Sequence, residues 1–317
     1  MADSRDLVSK SAVEAWLNAN NPAFNTTSDT VNIPLAITDC SVDWYSFTGR
    51  RSLNRFIPCN DSFDGMGGDR QFLRDFPVGL VSAVYVNGAA VPQGSNGEYG
   101  PITPGWVLDS KRESISMVGC SPLGYGLGRG VGSGGAYAVT SPYARIRANL
   151  GFGGRTDQGR QNVVVQYFAG GSIMFNEVVT VPASAPYTVT VSQGATFWND
   201  LNEVYYALPQ SGLLVQLSAV TPLVTAGQYS FSQAGVYTFS AGDAGQQIAI
   251  TYGYNAAPAD VQMACIMQVC ETLYTRKTVG LKSQGSPESG TTSYTKSTIT
   301  PDVLRVMLKY KAVMRGM

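Results

Sequence analysis

Residues 76–88 read Phe76-Pro77-Val78-Gly79-Leu80-Val81-Ser82-Ala83-Val84-Tyr85-Val86-Asn87-Gly88. A valine-rich run that closes on Asn-Gly predicts a strand entering a tight hairpin. The favoured two-residue turn needs positive φ at both central positions, and Asn-Gly adopts it at least cost. The β pattern continues on both sides. Upstream, Phe56-Ile57-Pro58-Cys59 predicts a strand that runs into a turn at Asp64-Gly65-Met66-Gly67-Gly68, followed by Gln71–Phe76. Downstream, Trp106–Asp109 and Ser114–Val118 extend the meander.

Helical patterns flank these strands. Leu7, Val8, Ser11, Ala12, Ala15 and Trp16 form one stripe, ending near Asn20-Asn21-Pro22. A second helix is expected from about Asp29, on Ile33, Ala36, Ile37, Cys40, Trp44 and Phe47. Pro34 falls in its first turns, where proline is tolerated, and Gly49 is a good C-terminal stop. Towards the other end, Pro258 and Asp260 open a helix carrying Val261, Ala264, Cys265, Val269 and Leu273. It should finish at Arg276-Lys277, before Gly280. Residues 281–297 are rich in Ser, Thr, Gly and Lys and read as flexible. Thr300-Pro301-Asp302 combines a cap, a proline at the first helical position and an acid in the first turn. The helix it starts alternates Val303, Leu304, Met307, Leu308 and Tyr310 with Arg305, Lys309, Lys311 and Arg315.

The middle of the chain is β-rich. Asn162–Phe168 predicts a strand. Short strands at 178–181, 187–191, 213–217, 229–231 and 237–239, parted by turn residues, predict a small sandwich or barrel. Gln247–Tyr252 echoes Val163–Tyr167, as though one hairpin edge had opened to admit a module. The expected fold class is therefore α+β, with a helical domain carrying a small sheet and an inserted all-β, sandwich-like domain. The expected boundaries are 1–168, 169–247 and 248–317.

Composition narrows the chemistry. The 317 residues contain no histidine, which excludes Ser-His-Asp and Cys-His catalysis, histidine-ligated metals and histidine pH switching. Only 14% of residues are charged, and the formal net charge is zero. A protein holding nucleic acid mainly by bulk charge is usually basic. The charges are nonetheless segregated. Residues 119–160 carry five arginines and one aspartate, 161–250 no Lys or Arg, and 270–317 an excess of bases. Such segregation suits subunits that stack on other charged surfaces. The five cysteines (Cys40, Cys59, Cys120, Cys265, Cys270) show no redox or zinc spacing and read as reduced core thiols of a chain made in a cytoplasm. No signal-peptide pattern opens the sequence and no run of 18 apolar residues occurs, so a soluble protein, not exported by the usual route and not in a membrane, is expected.

No catalytic constellation stands out. Gly130-Val131-Gly132-Ser133-Gly134-Gly135 matches GxGxxG but has no strand before it and no helix after it. Asp61, Asp64 and Asp69 lack calcium-loop spacing and read as turn residues. Asp39 and Asp43, at i, i+4, read as a solvated helix face. No cofactor or metal is expected. Two features suggest binding. The Gly-rich segment 119–160 interleaves Arg129, Arg145, Arg147, Arg155 and Arg160 with tyrosines, a composition able to touch a phosphate backbone without reading sequence. The last helix is short, apolar on one side and basic on the other, and needs a docking surface on its own chain or on a partner.

The ordered set of segments resembles the head–tail connector, or neck adaptor, proteins of tailed bacteriophages. The likeness is carried by Ser11-Ala-Val-Glu-Ala-Trp16-Leu17, Trp44-Tyr45-Ser-Phe-Thr-Gly49-Arg50, Phe76–Val84, Pro258-Ala-Asp260-Val-Gln-Met-Ala264 and Leu273-Tyr274-Thr-Arg276. Gly280, Ser293-Tyr294, Leu304 and Leu308-Lys-Tyr310-Lys311 complete it. It covers about 1–118 and 246–317. Residues 169–247 look like an added β-module, whose 226–243 run is similar to small β-domains of other phage structural proteins.

The resemblance implies a structural, non-enzymatic virion protein made in the bacterial cytoplasm. Adaptors of this kind form a ring, usually of twelve copies, that joins the portal vertex to the tail or the next neck protein and lets DNA pass. Carried over, Leu304, Met307, Leu308, Lys309, Tyr310, Lys311 and Arg315 would dock on the portal protein. The five arginines of 119–160 would face the channel and touch double-stranded DNA in passing. The alternatives are another tail-side or decoration protein, or a glycan-binding β-module protein.

Overall fold

The computed structural model describes residues 5–20, 32–65, 70–94, 103, 105–118, 159–207, 215–221, 225–277, 283–286, 290–293 and 299–311. It is a mixed α+β protein in two compact units. Met1–Arg55 and Ala256–Met314 form one, and Phe56–Asn255 form the other.

The first unit is helical. Helix α1 (Lys10–Asn20) follows Ser9, whose Oγ accepts from Ala12 N and satisfies one of the open N–H groups of the first turn. Helix α2 (Asn32–Thr48) ends where expected. Gly49 adopts φ 67° and its N–H reaches Tyr45 O at 3.0 Å, a conformation glycine takes without strain. Helix α3 (Ala259–Lys277) packs against α1, α2 and α4 (Pro301–Tyr310), and its side chains are buried on nearly every face. That accounts for its weak amphipathic pattern, since a surrounded helix has no water-facing stripe. Leu17, Ile33, Ile37, Trp44, Val261, Cys265, Val269, Val303 and Met307 form the shared core. Polar pairs inside it include Trp44 Nε1, which donates to Gln268 Oε1 at 2.9 Å, and Ser41 Oγ, which accepts from Leu7 N at 3.1 Å.

The second unit is built from sheets. Strands β1 (Phe56–Gly65), β3 (Val78–Val86), β4 (Ala89–Val91) and β7 (Gly159–Gly170) form an antiparallel sheet in the order β1-β7-β3-β4. The β3–β4 turn is the predicted one, with Asn87 at φ 51° and Gly88 at φ 78°. A second sheet, β2-β6-β5, uses β2 (Arg70–Phe72), β5 (Gly105–Leu108) and β6 (Ser114–Val118) and shares one apolar core with the first. Strand β1 continues through Asp64-Gly65, where a turn was expected, with a register irregularity between Phe63 and Gly65.

Two further sheets share a separate core. One has the order β10-β14-β8, from β8 (Ser172–Thr180), β10 (Phe197–Tyr206) and β14 (Gln247–Tyr254). The other has the order β11-β12-β13-β9, from β9 (Thr188–Thr190), β11 (Ser218–Ala219), β12 (Gln228–Phe231) and β13 (Val236–Phe239). The idea that β7 and β14 are two edges of one opened hairpin is corrected. Each is the central strand of a different sheet, with both of its hydrogen-bonding edges occupied. Strand β14, expected to begin the C-terminal domain at 248, is the middle of the sheet that holds β8 and β10.

The expectation of flexibility across 281–297 is also corrected in part. Ser283–Ser286 (β15) and Gly290–Ser293 (β16) pair as an antiparallel ribbon. Their small polar residues show no apolar alternation, so the sequence carried no strand signal there.

Candidate functional site

The terminal helix is held by its own chain. Thr300 caps α4, its Oγ1 accepting from Val303 N, and Pro301 stands at the first helical position, as read from the sequence. Val303 and Met307 are fully buried against α2 and α3. At the opposite end of α4, Asp260 in the first turn of α3 accepts from Lys309 Nζ at 2.6 Å and from Tyr310 Oη at 2.8 Å. Arg50 Nε donates to Tyr310 O at 2.6 Å, which satisfies a carbonyl that the helix end leaves open. Lys311 lies over the Phe47 ring at 5.4 Å.

Burial by itself would raise the Asp260 carboxyl. The hydrogen bonds from Lys309 and Tyr310, and the Lys309 charge, outweigh it and hold the group below its ordinary value. The Tyr310 hydroxyl is pushed up, first by burial and then by its bond to Asp260.

The residues expected to dock on a partner therefore separate. Met307 belongs to the interior, and Lys309, Tyr310 and Lys311 are engaged within the helical unit. Leu304 and Leu308 remain outward. Arg315 lies outside the described residues, as do Arg129, Arg145, Arg147, Arg155, Cys120 and the Gly130–Gly135 match. Arg160 falls on β7, in its first residues.

The acids read as turn or surface groups divide in the same way. Asp39 and Asp43 lie on the exposed face of α2. Asp61 is buried on β1, where its Oδ2 accepts from Tyr167 Oη at 2.5 Å. Asp64 is on β1, and Asp69 lies outside the described residues. Among the described residues no group of three or more Cys, Asp or Glu is placed to hold a metal ion. Cys40, Cys59, Cys265 and Cys270 are buried and form no disulfide among the described residues. Burial, and then the nearby Cys40, pushes the Cys270 thiol up to about 12, so it stays protonated and unreactive.

One recurring arrangement escaped the sequence reading. In the β-rich unit, buried and half-buried carboxylates are matched by tyrosine hydroxyls. Asp200 accepts from Tyr229 Oη at 2.7 Å and from Tyr237 Oη at 2.9 Å. Asp243 accepts from Tyr206 Oη, and Glu177 from Tyr252 Oη, both at 2.5 Å. The absence of Lys and Arg over 161–250 was the signal that these acids needed another kind of partner. The hydroxyls stay protonated in this setting. Tyr206 and Tyr252 are each raised to about 12, chiefly by burial and then by the bonded carboxylate. The Asp200 cluster lies in the interior, whereas the Glu177 cluster is half-buried and also takes up Ser192 N and Oγ.

No protein-family model matches the chain, and no curated protein is similar to it in sequence. Among the described residues no helix is long and apolar enough to cross a membrane.

Proposed function

We propose that this chain is a non-enzymatic subunit of a ring that joins the portal vertex of a tailed-phage capsid to the tail or next neck protein and lets the genome pass. The observation that supports the reading is where most of the quoted segments fall. Ser11–Leu17, Trp44–Arg50, Pro258–Ala264, Leu273–Arg276 and Leu304–Lys311 come from both ends of the sequence and belong to one helical unit, whereas Phe76–Val84 falls in the other unit. In this reading that unit is the connector-type domain. The two sheets that share the second β core are the sandwich-like addition, and the protein works in the neck of the virion. Near-neutral charge suits a channel that must release DNA, since each phosphate contact adds salt-dependent affinity.

The portal contact remains in the proposal without the full set of α4 residues, because Met307, Lys309, Tyr310 and Lys311 already have intramolecular roles. Removal of α4 would take Val303 and Met307 out of the helical core and so disturb folding along with any docking. Electron-microscope imaging of the full chain, alone and mixed with its portal, tests the reading directly. A ring of this chain added to one end of the portal supports it. No association with intact portal moves the assignment to a tail-side or decoration component.

A further inference from the structure

We propose that the outward face of α4 in one copy docks on the outward face of α2 in a second copy. This rests on the ring reading and assigns the outer residues of α4 to the neighbouring subunit. On α4, Leu304 and Leu308 are 37% and 52% exposed and lie one turn apart. Arg305 beside them is exposed and makes no hydrogen bond or ion pair among the described residues. On α2, Leu35 and Val42 are 55% and 52% exposed and lie two turns apart on one stripe. Asp39 stands between them and Asp43 beside them, both exposed.

The two faces complement each other in charge as well as in apolar character. The exposed stripe of α2, from Asn32 through Leu35, Asp39, Val42, Asp43 and Ser46, holds two acids and no base. The stripe of α4 presents Arg305 beside two leucines, with the Lys309 side chain still 64% exposed next to its Asp260 partner. Carboxylates at i, i+4 repel one another. The Asp43 carboxyl is raised, first by burial and then by Asp39. Asp43 already accepts from Gln268 Nε2 at 3.5 Å, and a guanidinium on the outward side of the two carboxylates adds charge-assisted bonds while the flanking Leu and Val side chains leave water together. Because one patch meets a different patch, the contact is heterologous. Repeated, it closes a ring or extends a filament.

Sedimentation velocity of the full chain, from micromolar to about millimolar concentration at low salt, tests this, since that span brackets weak subunit contacts. The expected result is self-association that weakens roughly tenfold or more in R305E and in the D39K/D43K pair, about 1.4 kcal/mol per tenfold. Mixing those two variants restores association. Each then supplies the charge the other lacks, which a merely structural effect of either change cannot produce. Circular dichroism checks that both variants fold. Absence of self-association across the range overturns the proposal, as does association that both variants leave unchanged. In the latter case, a ring on the portal in electron micrographs keeps the adaptor reading and places the subunit contact elsewhere.

Discussion

The Tyr310 hydroxyl donates to Asp260 Oδ1 at 2.8 Å, tying the last turn of α4 to the first turn of α3. With Lys309 on the other carboxylate oxygen and Arg50 on the Tyr310 carbonyl, a helix of ten residues gains a fixed seat that its length alone would not give it.

The Asp260 clamp makes α4 docking sensitive to acid. A carboxyl held below its ordinary value stabilises the folded form fully above the unfolded carboxylate range, near pH 4, and this contribution is lost as pH falls through the lowered value. Hydrogen exchange in α4, corrected for the intrinsic rate, should accelerate below about pH 4 relative to α2. Asp260→Asn should show faster α4 exchange already at neutral pH and lose the acid dependence. Equal pH responses in both proteins would rule the clamp out.

Met307 tests whether α4 is part of the core. Met307→Ala should cost about 2–5 kcal/mol in denaturant unfolding, as for other fully buried large-to-small changes. Leu308→Ala, at an exposed site one position along, should cost well under 1 kcal/mol. Similar losses for the two would contradict the burial of Met307.

Asp200 serves two fully buried tyrosines at once. Asp200→Ala leaves the Tyr229 and Tyr237 hydroxyls without their acceptor, and a loss of about 2–4 kcal/mol is expected. Combining it with Tyr229→Phe and Tyr237→Phe should recover part of that loss, because the unsatisfied groups are gone. The Asp200 carboxyl is raised, chiefly by burial. Its own contribution therefore runs opposite to that of Asp260, strongest in acid and declining as pH rises from the ordinary carboxylate range towards the raised value. No recovery in the triple variant would show that the loss comes from packing alone.

Trp198 stacks on Phe56 with ring centroids 4.0 Å apart, and glycine makes room for it. A methyl group at Gly253 would stand 2.8 Å from Trp198 Cε3, and one at Gly79 would overlap the same ring. Gly253→Ala should destabilise the β-rich unit by about 1–3 kcal/mol, with a change in tryptophan fluorescence. Restoration by Trp198→Leu in the same chain would locate the clash, and an unperturbed Gly253→Ala protein would refute it.

Local rules carried far along this chain. The Asn87-Gly88 hairpin, the Gly49 stop and the Thr300-Pro301 start are each set by the backbone preferences of two or three adjacent residues, and each appears where it was read. The helices and many of the strands were legible for the same reason, but the long strand β10 was not read, and of the strand expected at 213–217 the described residues 215–217 make only an isolated bridge from Gln216 to Tyr205. Partner choice was not legible. Strands β7 and β14 have similar sequences yet sit at the centres of different sheets, because strand pairing depends on which distant edges are free. Strands β15 and β16 carried no apolar period at all.

The sequence by itself determined what the protein lacks and how its terminal helix is built. Without histidine it forgoes histidine-based catalysis and histidine-ligated metals, and its last helix is amphipathic and capped. Only the tertiary structure decided how that helix is used. Val303 and Met307 face the interior, Tyr310 and Lys309 close on an aspartate some fifty residues earlier, and Leu304, Arg305 and Leu308 are left outward. A helical stripe specifies that some apolar surface must be covered. The surface that covers it is assembled from segments far apart in the chain, and their meeting depends on the packing of the whole unit.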